Sequence, residues 1–174
     1  MQIEEMPRFQ DSKVVFPQVG AIELDGCVLA DLEEVFGNGF IDLGLPGKNQ
    51  AAFNYFGGGK LIAFFQPEQP IAADSRMLAL DFVLTAEDVL DSESVSFNEF
   101  AAFYQRDPQK IKVIPFCVDG NPKFCAVLGL NLQLTCSLNE RQVETVHFVT
   151  TDYITRCPCP FCSLKRAIVR SYSH

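Results

Sequence analysis

The stretch from residue 111 to residue 136 constrains the fold more than any other. Two β-prone runs, 111–118 and 124–136, flank Asp119-Gly120-Asn121-Pro122, four residues that favour a tight turn. Within the second run Leu130, Leu132 and Leu134 alternate with Asn131, Gln133 and Thr135. A period of two buries one strand face and leaves the other wet. Residues 142–155, rich in Val, Thr, Phe and Tyr, read as a third long strand. Short connections between such runs require antiparallel pairing, because parallel neighbours need a long crossover.

The rest of the chain adds strands and a few helices. Runs 51–56 and 60–66 are aromatic-rich and meet across Gly57-Gly58-Gly59, which predicts a hairpin. Residues 76–84 predict a further strand, and Thr85-Ala86-Glu87-Asp88 a short capped turn. Leu29, Leu32, Val35 and Phe36 share one helical face within 25–36, and Gly37-Asn38-Gly39 stops that helix. Ser96-Phe97-Asn98-Glu99 is a capping box opening a helix with Phe97, Phe100, Ala101 and Tyr104 on one side, a stripe suited to core packing. Residues 1–19, with Pro7 and Pro17, predict an irregular or extended lead-in, 43–47 a loop, and 163–172 a closing basic helix. The expected fold is α+β: a mainly antiparallel sheet or small barrel with a few flanking helices, in a single domain 1–174. Residues 152–174 would form a Cys-rich basic appendage.

Composition excludes several classes. Sixteen Phe among 174 residues supply too much apolar surface for a disordered chain. No apolar run approaches the roughly 20 residues of a membrane-spanning helix. The start, Met1-Gln2-Ile3-Glu4-Glu5-Met6-Pro7, lacks the apolar core of a signal peptide, so a cytoplasmic location is expected. The net charge of −8 disfavours nucleic acid and anionic membrane as partners. Gly57-Gly58-Gly59-Lys60 lacks the spacing and hydroxyl of a phosphate-binding loop, and no hydrolase or zinc-protease motif is present.

One cluster carries chemistry. Cys157-Pro158-Cys159-Pro160-Phe161-Cys162 places three thiols within six residues, with two prolines holding the backbone away from helix. In a reducing compartment seven cysteines, an odd number, read as thiols or metal ligands rather than as disulfides. C-x-x-C is the usual knuckle spacing for a soft metal, and a closed zinc site needs a fourth ligand. Cys136 is the first choice, with Cys125, Cys117, Cys27, His147 and His174 also available. An iron–sulfur cluster fits less well than zinc. Three functions compete. The first is a binding or scaffold protein whose knuckle of Cys157, Cys159, Cys162 and Cys136 holds a structural metal. Its Lys165, Arg166 and Arg170 would face a protein partner. The second is a thiol–disulfide enzyme in which Cys159 attacks and Cys162 resolves, with Arg156 or Lys165 favouring the thiolate. The third is a metal-free β-rich module holding a small apolar ligand between its sheet and the aromatic helix 97–106. His147 and the carboxylates Asp81, Glu87 and Asp88 read as packed or solvated residues, not as catalysts. A homodimer through an exposed edge strand is compatible with any of the three.

Overall fold

A computed structural model describes residues 2–42, 49–55, 59–67, 69–84 and 95–173. The loop at 43–47, Gly57 and Gly58 of the glycine link, Thr85 to Asp88 and His174 fall outside them. The described residues form an α+β fold in which every strand pairing is antiparallel.

A three-stranded meander opens the chain: β1 (Arg8–Gln10), β2 (Lys13–Phe16) and β3 (Gly20–Glu23). The lead-in expected to be irregular or extended is therefore extended, and it pairs into a small sheet. Its strands are only three or four residues long, too short to show a period, and Val14 and Phe16 anchor it in the core. Helix α1 (Leu29–Phe36) follows, held by Asp31 accepting from the Val28 amide at 3.0 Å and ended by Gly37 at φ 78°. Only glycine enters that region cheaply.

The main sheet contains β4 (Phe40–Asp42), β5 (Asn49–Tyr55), β6 (Gly59–Phe65), β7 (Ala79–Val83), β8 (Val113–Val118), β9 (Asn121–Val127), β10 (Leu132–Ser137) and β11 (Val143–Val149). Its order is β4-β5-β6-β7-β11-β10-β9-β8. Two meanders thus meet at the seam between β7 and β11, and the sheet is open rather than a barrel. The connection from β7 to β8 carries α2 (Phe97–Phe103), whose capping box forms as expected: Ser96 Oγ accepts from the Glu99 amide at 3.1 Å, and Glu99 Oε2 accepts from the Ser96 amide at 2.9 Å. Asp119 and Gly120, at φ 50° and 80°, make the two-residue turn between β8 and β9. Both residues at positive φ match the right-handed twist of a hairpin.

Three corrections concern the second meander and the C-terminus. The run 124–136 is two strands, β9 and β10, separated by a turn at Leu128 to Asn131. The strand expected over 142–155 ends at Val149, and residues 151–156 are helix α3 (Thr151–Arg156). The closing helix starts earlier than expected, as α4 (Pro160–Ser171).

Alternation gives the sheet two packed faces. Leu61, Ala63, Leu80, Phe82, Val146, Phe148, Leu134 and Phe124 point into the main core beneath α1 and α2. The other face was expected to be wet, yet Gln133 is fully buried. The reason is α4, whose Ile168, Val169 and Tyr172 pack on Ile114, Cys125 and Val127 of that face. Tyr172 Oη donates to Val127 O at 2.6 Å and accepts from the Lys112 amide at 2.8 Å, pinning the helix end to the sheet.

Candidate metal centre

The cysteines occupy the junction between α3 and α4. Thr150 stands at the N-cap of α3, and its hydroxyl donates to Leu78 O at 2.9 Å. Asp25 then accepts from the Thr151 amide at 2.7 Å and from its hydroxyl at 2.8 Å. A β-prone Thr–Thr pair is turned into a helix start by a carboxylate distant in sequence. Ile154 of α3 and Cys162 of α4 pack together on Val149, with Cys157 and Cys159 alongside. Arg166 Nη1 donates to Ile154 O at 2.9 Å and to Cys157 O at 2.8 Å. The last carbonyls of a short helix have no intrahelical donor, and this guanidinium supplies one. Arg166 is therefore engaged within the fold, contrary to its expected role of facing a partner.

Pro158 and Pro160 set the sulfur geometry. Proline is well tolerated at the first helical position, so Pro160 starts α4 and makes Cys159 its N-cap. Cys159 Sγ accepts from the Cys162 amide at 3.3 Å and lies 3.3 Å from Cys157 Sγ. The three sulfurs of Cys157, Cys159 and Cys162 all lie within 4.8 Å of one another. The amide of Cys162, and then the thiols of Cys157 and Cys162, stabilise a thiolate at Cys159 and lower its pKa to about 7. Burial pushes the Cys162 thiol up to about 12, and its two thiol neighbours add to the rise. One sulfur is thus ready to ionise and one is held protonated until something displaces its proton.

The chemistry of this donor set suits a single soft ion. Four thiolates about a zinc at about 2.3 Å would sit about 3.8 Å apart, which the observed span accommodates with little movement. An iron–sulfur cluster distributes its thiolates over several irons and needs a wider cradle. Among the described residues no fourth His, Cys, Asp or Glu joins the group. Cys136 lies in the main core, fully buried, where desolvation and then the nearby Cys125 and Glu144 raise its pKa to about 12. Cys27 and Cys125 are buried, Cys117 is exposed on β8, and all seven cysteines are free thiols.

The remaining residues singled out in the sequence lie elsewhere. Lys165 sits with its Nζ 4.4 Å from the Phe161 ring centroid, and Arg156 pairs with Asp152 at 2.8 Å on an exposed surface. Where an apolar ligand was expected between the sheet and the helix, Phe97 meets Phe124 edge-on at 5.5 Å and Phe100 is buried, and a cavity of about 180 Å³ opens beside Tyr104 and Arg106. His147 is neither idle nor simply packed. Its Nδ1 is 2.8 Å from Asp81 Oδ1, and its Nε2 is 2.7 Å from Thr135 Oγ1. Thr135 and Gln133, which line the same cavity as Asp81 and His147, were not singled out in the sequence. The usable signal was that Asp81, Gln133, Thr135 and His147 are all polar residues placed mid-strand.

No helix among the described residues is long and apolar enough to cross a membrane. Comparison with protein-family models, with curated proteins and with solved structures finds no match to this chain.

Proposed function

We propose that this chain is a metal-binding interaction module of a reducing compartment such as the cytoplasm. Cys157, Cys159 and Cys162 hold one soft ion, zinc in the first place, and the fourth coordination position is left to a ligand from outside this group. The convergence of three sulfurs within 4.8 Å carries the reading. The ion closes the junction of α3 and α4, and the exposed Tyr153, Phe161 and Leu164 around it offer a protein partner an apolar contact. The test is elemental analysis with thiol titration of protein equilibrated with zinc. One zinc per chain and three thiols that react only after chelation are expected. A Cys162→Ser chain should bind far more weakly. Absence of bound zinc, with all seven thiols open to reagent once the chain is unfolded and three still open when it is folded with zinc, overturns it.

A second reading has its own supporting observation: the N-cap placement of Cys159, with its sulfur on the Cys162 amide. The Cys159 thiolate would attack a disulfide of a substrate protein and expel one substrate thiolate, forming a mixed disulfide. Cys162 would then displace the second substrate thiolate, leaving a Cys159–Cys162 disulfide and a reduced substrate. A reversible two-electron disulfide between these residues in metal-free protein, at a potential near that of the glutathione pool, would favour this reading over the first.

A further inference from the structure

Three polar side chains on neighbouring strands form a hydrogen-bonded row that the metal centre does not use. Asp81 of β7 stands opposite His147 of β11, and Thr135 lies on β10 two residues along from Gln133, the register partner of His147. A side-chain period of two puts all three on one face of the sheet. His147 Nδ1 is 2.8 Å from Asp81 Oδ1, and Nε2 is 2.7 Å from Thr135 Oγ1. With Nδ1–H donating to Asp81, Nε2 carries the free lone pair and accepts the Thr135 hydroxyl proton. The row lines a cavity of about 430 Å³. None of its members is sealed in: the His147 and Asp81 side chains are 24% and 19% exposed, and Thr135 is half-buried. Phe64, Leu78, Phe116 and Val149 add apolar wall, and Lys165 lines the same cavity as a cation. The exposed Tyr153 and Phe161 also border it and are left to the partner contact.

We infer that Asp81, His147 and Thr135 form a hydrolytic centre for esters of short apolar acids, with Thr135 as the nucleophile. A hydroxyl bonded to an imidazole that a carboxylate holds from behind is recognised by these roles, not by chain order. The Thr135 oxygen bonds to the ester carbonyl carbon, and its proton passes to His147 Nε2. The ester C–O bond then breaks, and the alcohol leaves with that proton. Water attacks the same carbon and gives a proton to Nε2. The bond between the acyl group and Thr135 breaks, its oxygen takes the proton back, and the free acid departs. Asp81 is a positioning residue: it fixes the tautomer of His147 and offsets the charge on the imidazolium. Lys165 is the lining cation suited to the charge that develops on the carbonyl oxygen. The strands around the row spend their amides on pairing, so an ester, which expels its leaving group readily, suits the site better than an amide. The reaction uses neither the cysteines nor an ion held by them.

The experiment uses the intact protein with no partner added and p-nitrophenyl butanoate as the probe. Release of nitrophenolate gives the rate, and mass spectrometry of the protein digested during turnover locates the butanoyl group. Turnover well above that of free imidazole at equal concentration is expected, with the acyl group on Thr135. Thr135→Val, which keeps the shape and removes the hydroxyl, should slow hydrolysis at least about a hundredfold. Asp81→Asn should lower kcat by a similar factor and leave KM unchanged, a split that general loosening of the fold would not produce. Acylation confined to Cys159 or to lysines, a Thr135→Val chain as fast as its parent, or turnover no better than imidazole would each overturn the inference. The position of the acyl group is read in the unmodified chain, so it decides the matter even where a substitution impairs folding.

Discussion

Single thiols in this chain differ by several orders of magnitude in acidity, and surroundings account for it. Cys159 has amide and thiol donors around its sulfur, whereas Cys27 and Cys136 are buried among apolar side chains and both rise to about 12. For Cys27 desolvation dominates and the Asp31 charge adds to it. The consequence for stability has a definite sign. Above the ordinary thiol pKa of 9.0 the unfolded chain ionises both groups while the folded chain keeps them protonated. The unfolded state then holds fewer protons, so stability is complete below pH 9 and falls as pH rises towards 12. The limit is about 1.4 kcal/mol per pH unit for each thiol. Urea unfolding under reductant at pH 8, 9 and 10 should show this decline, and Cys136→Ala should flatten it above pH 9 while lowering stability at every pH. A variant whose slope matches the parent would show that Cys136 ionises alike in both states.

Elements follow local rules where the decisive partner is near in sequence, and depart from them where it is far. Helix α2 was readable because Ser96 and Glu99 satisfy each other within one turn. The hairpin of β5 and β6 was readable too, since Tyr55 pairs directly with Gly59. Helix α3 was not. Its sequence, Thr-Asp-Tyr-Ile-Thr-Arg, favours a strand, and it is helical because Asp25 and Leu78 receive the donors of Thr150 and Thr151. The start of α4 was hidden for another reason, because cysteine is not among the residues that usually cap a helix. If Asp25 is what starts α3, then Asp25→Ala should cost about 1 kcal/mol in denaturant unfolding and Asp25→Asn, which keeps one acceptor, clearly less. Equal midpoints for all three chains would assign the start of α3 to its packing alone.

At the level of the whole molecule, the β7–β11 seam decides where chemistry can occur. It brings Asp81 against His147 across 66 residues, and it lets α3 and α4 leave the end of β11 and return over the second meander. Neither contact is local, which is why the cysteine cluster was legible from its spacing while the Asp81–His147–Thr135 row and its cavity were not. The two ends of the α3–α4 unit are held differently. The far end of α4 is pinned by Tyr172 to backbone groups of the sheet, whereas the α3–α4 junction is held by Arg166 and by the contact of Ile154 with Cys162, beside three sulfurs that could hold a metal ion. Metal removal should therefore act locally. In zinc-loaded protein, amides of α3 and the first turn of α4 should exchange slowly with solvent. After chelation they should exchange at least about tenfold faster, while β7, β10 and β11 keep their protection, since these strands meet the cysteine cluster only at Ala79 and Val149, the first residue of β7 and the last of β11. Loss of protection throughout the sheet would make the ion a determinant of the whole fold. Unchanged exchange at the junction would mean that it does not close α3 onto α4.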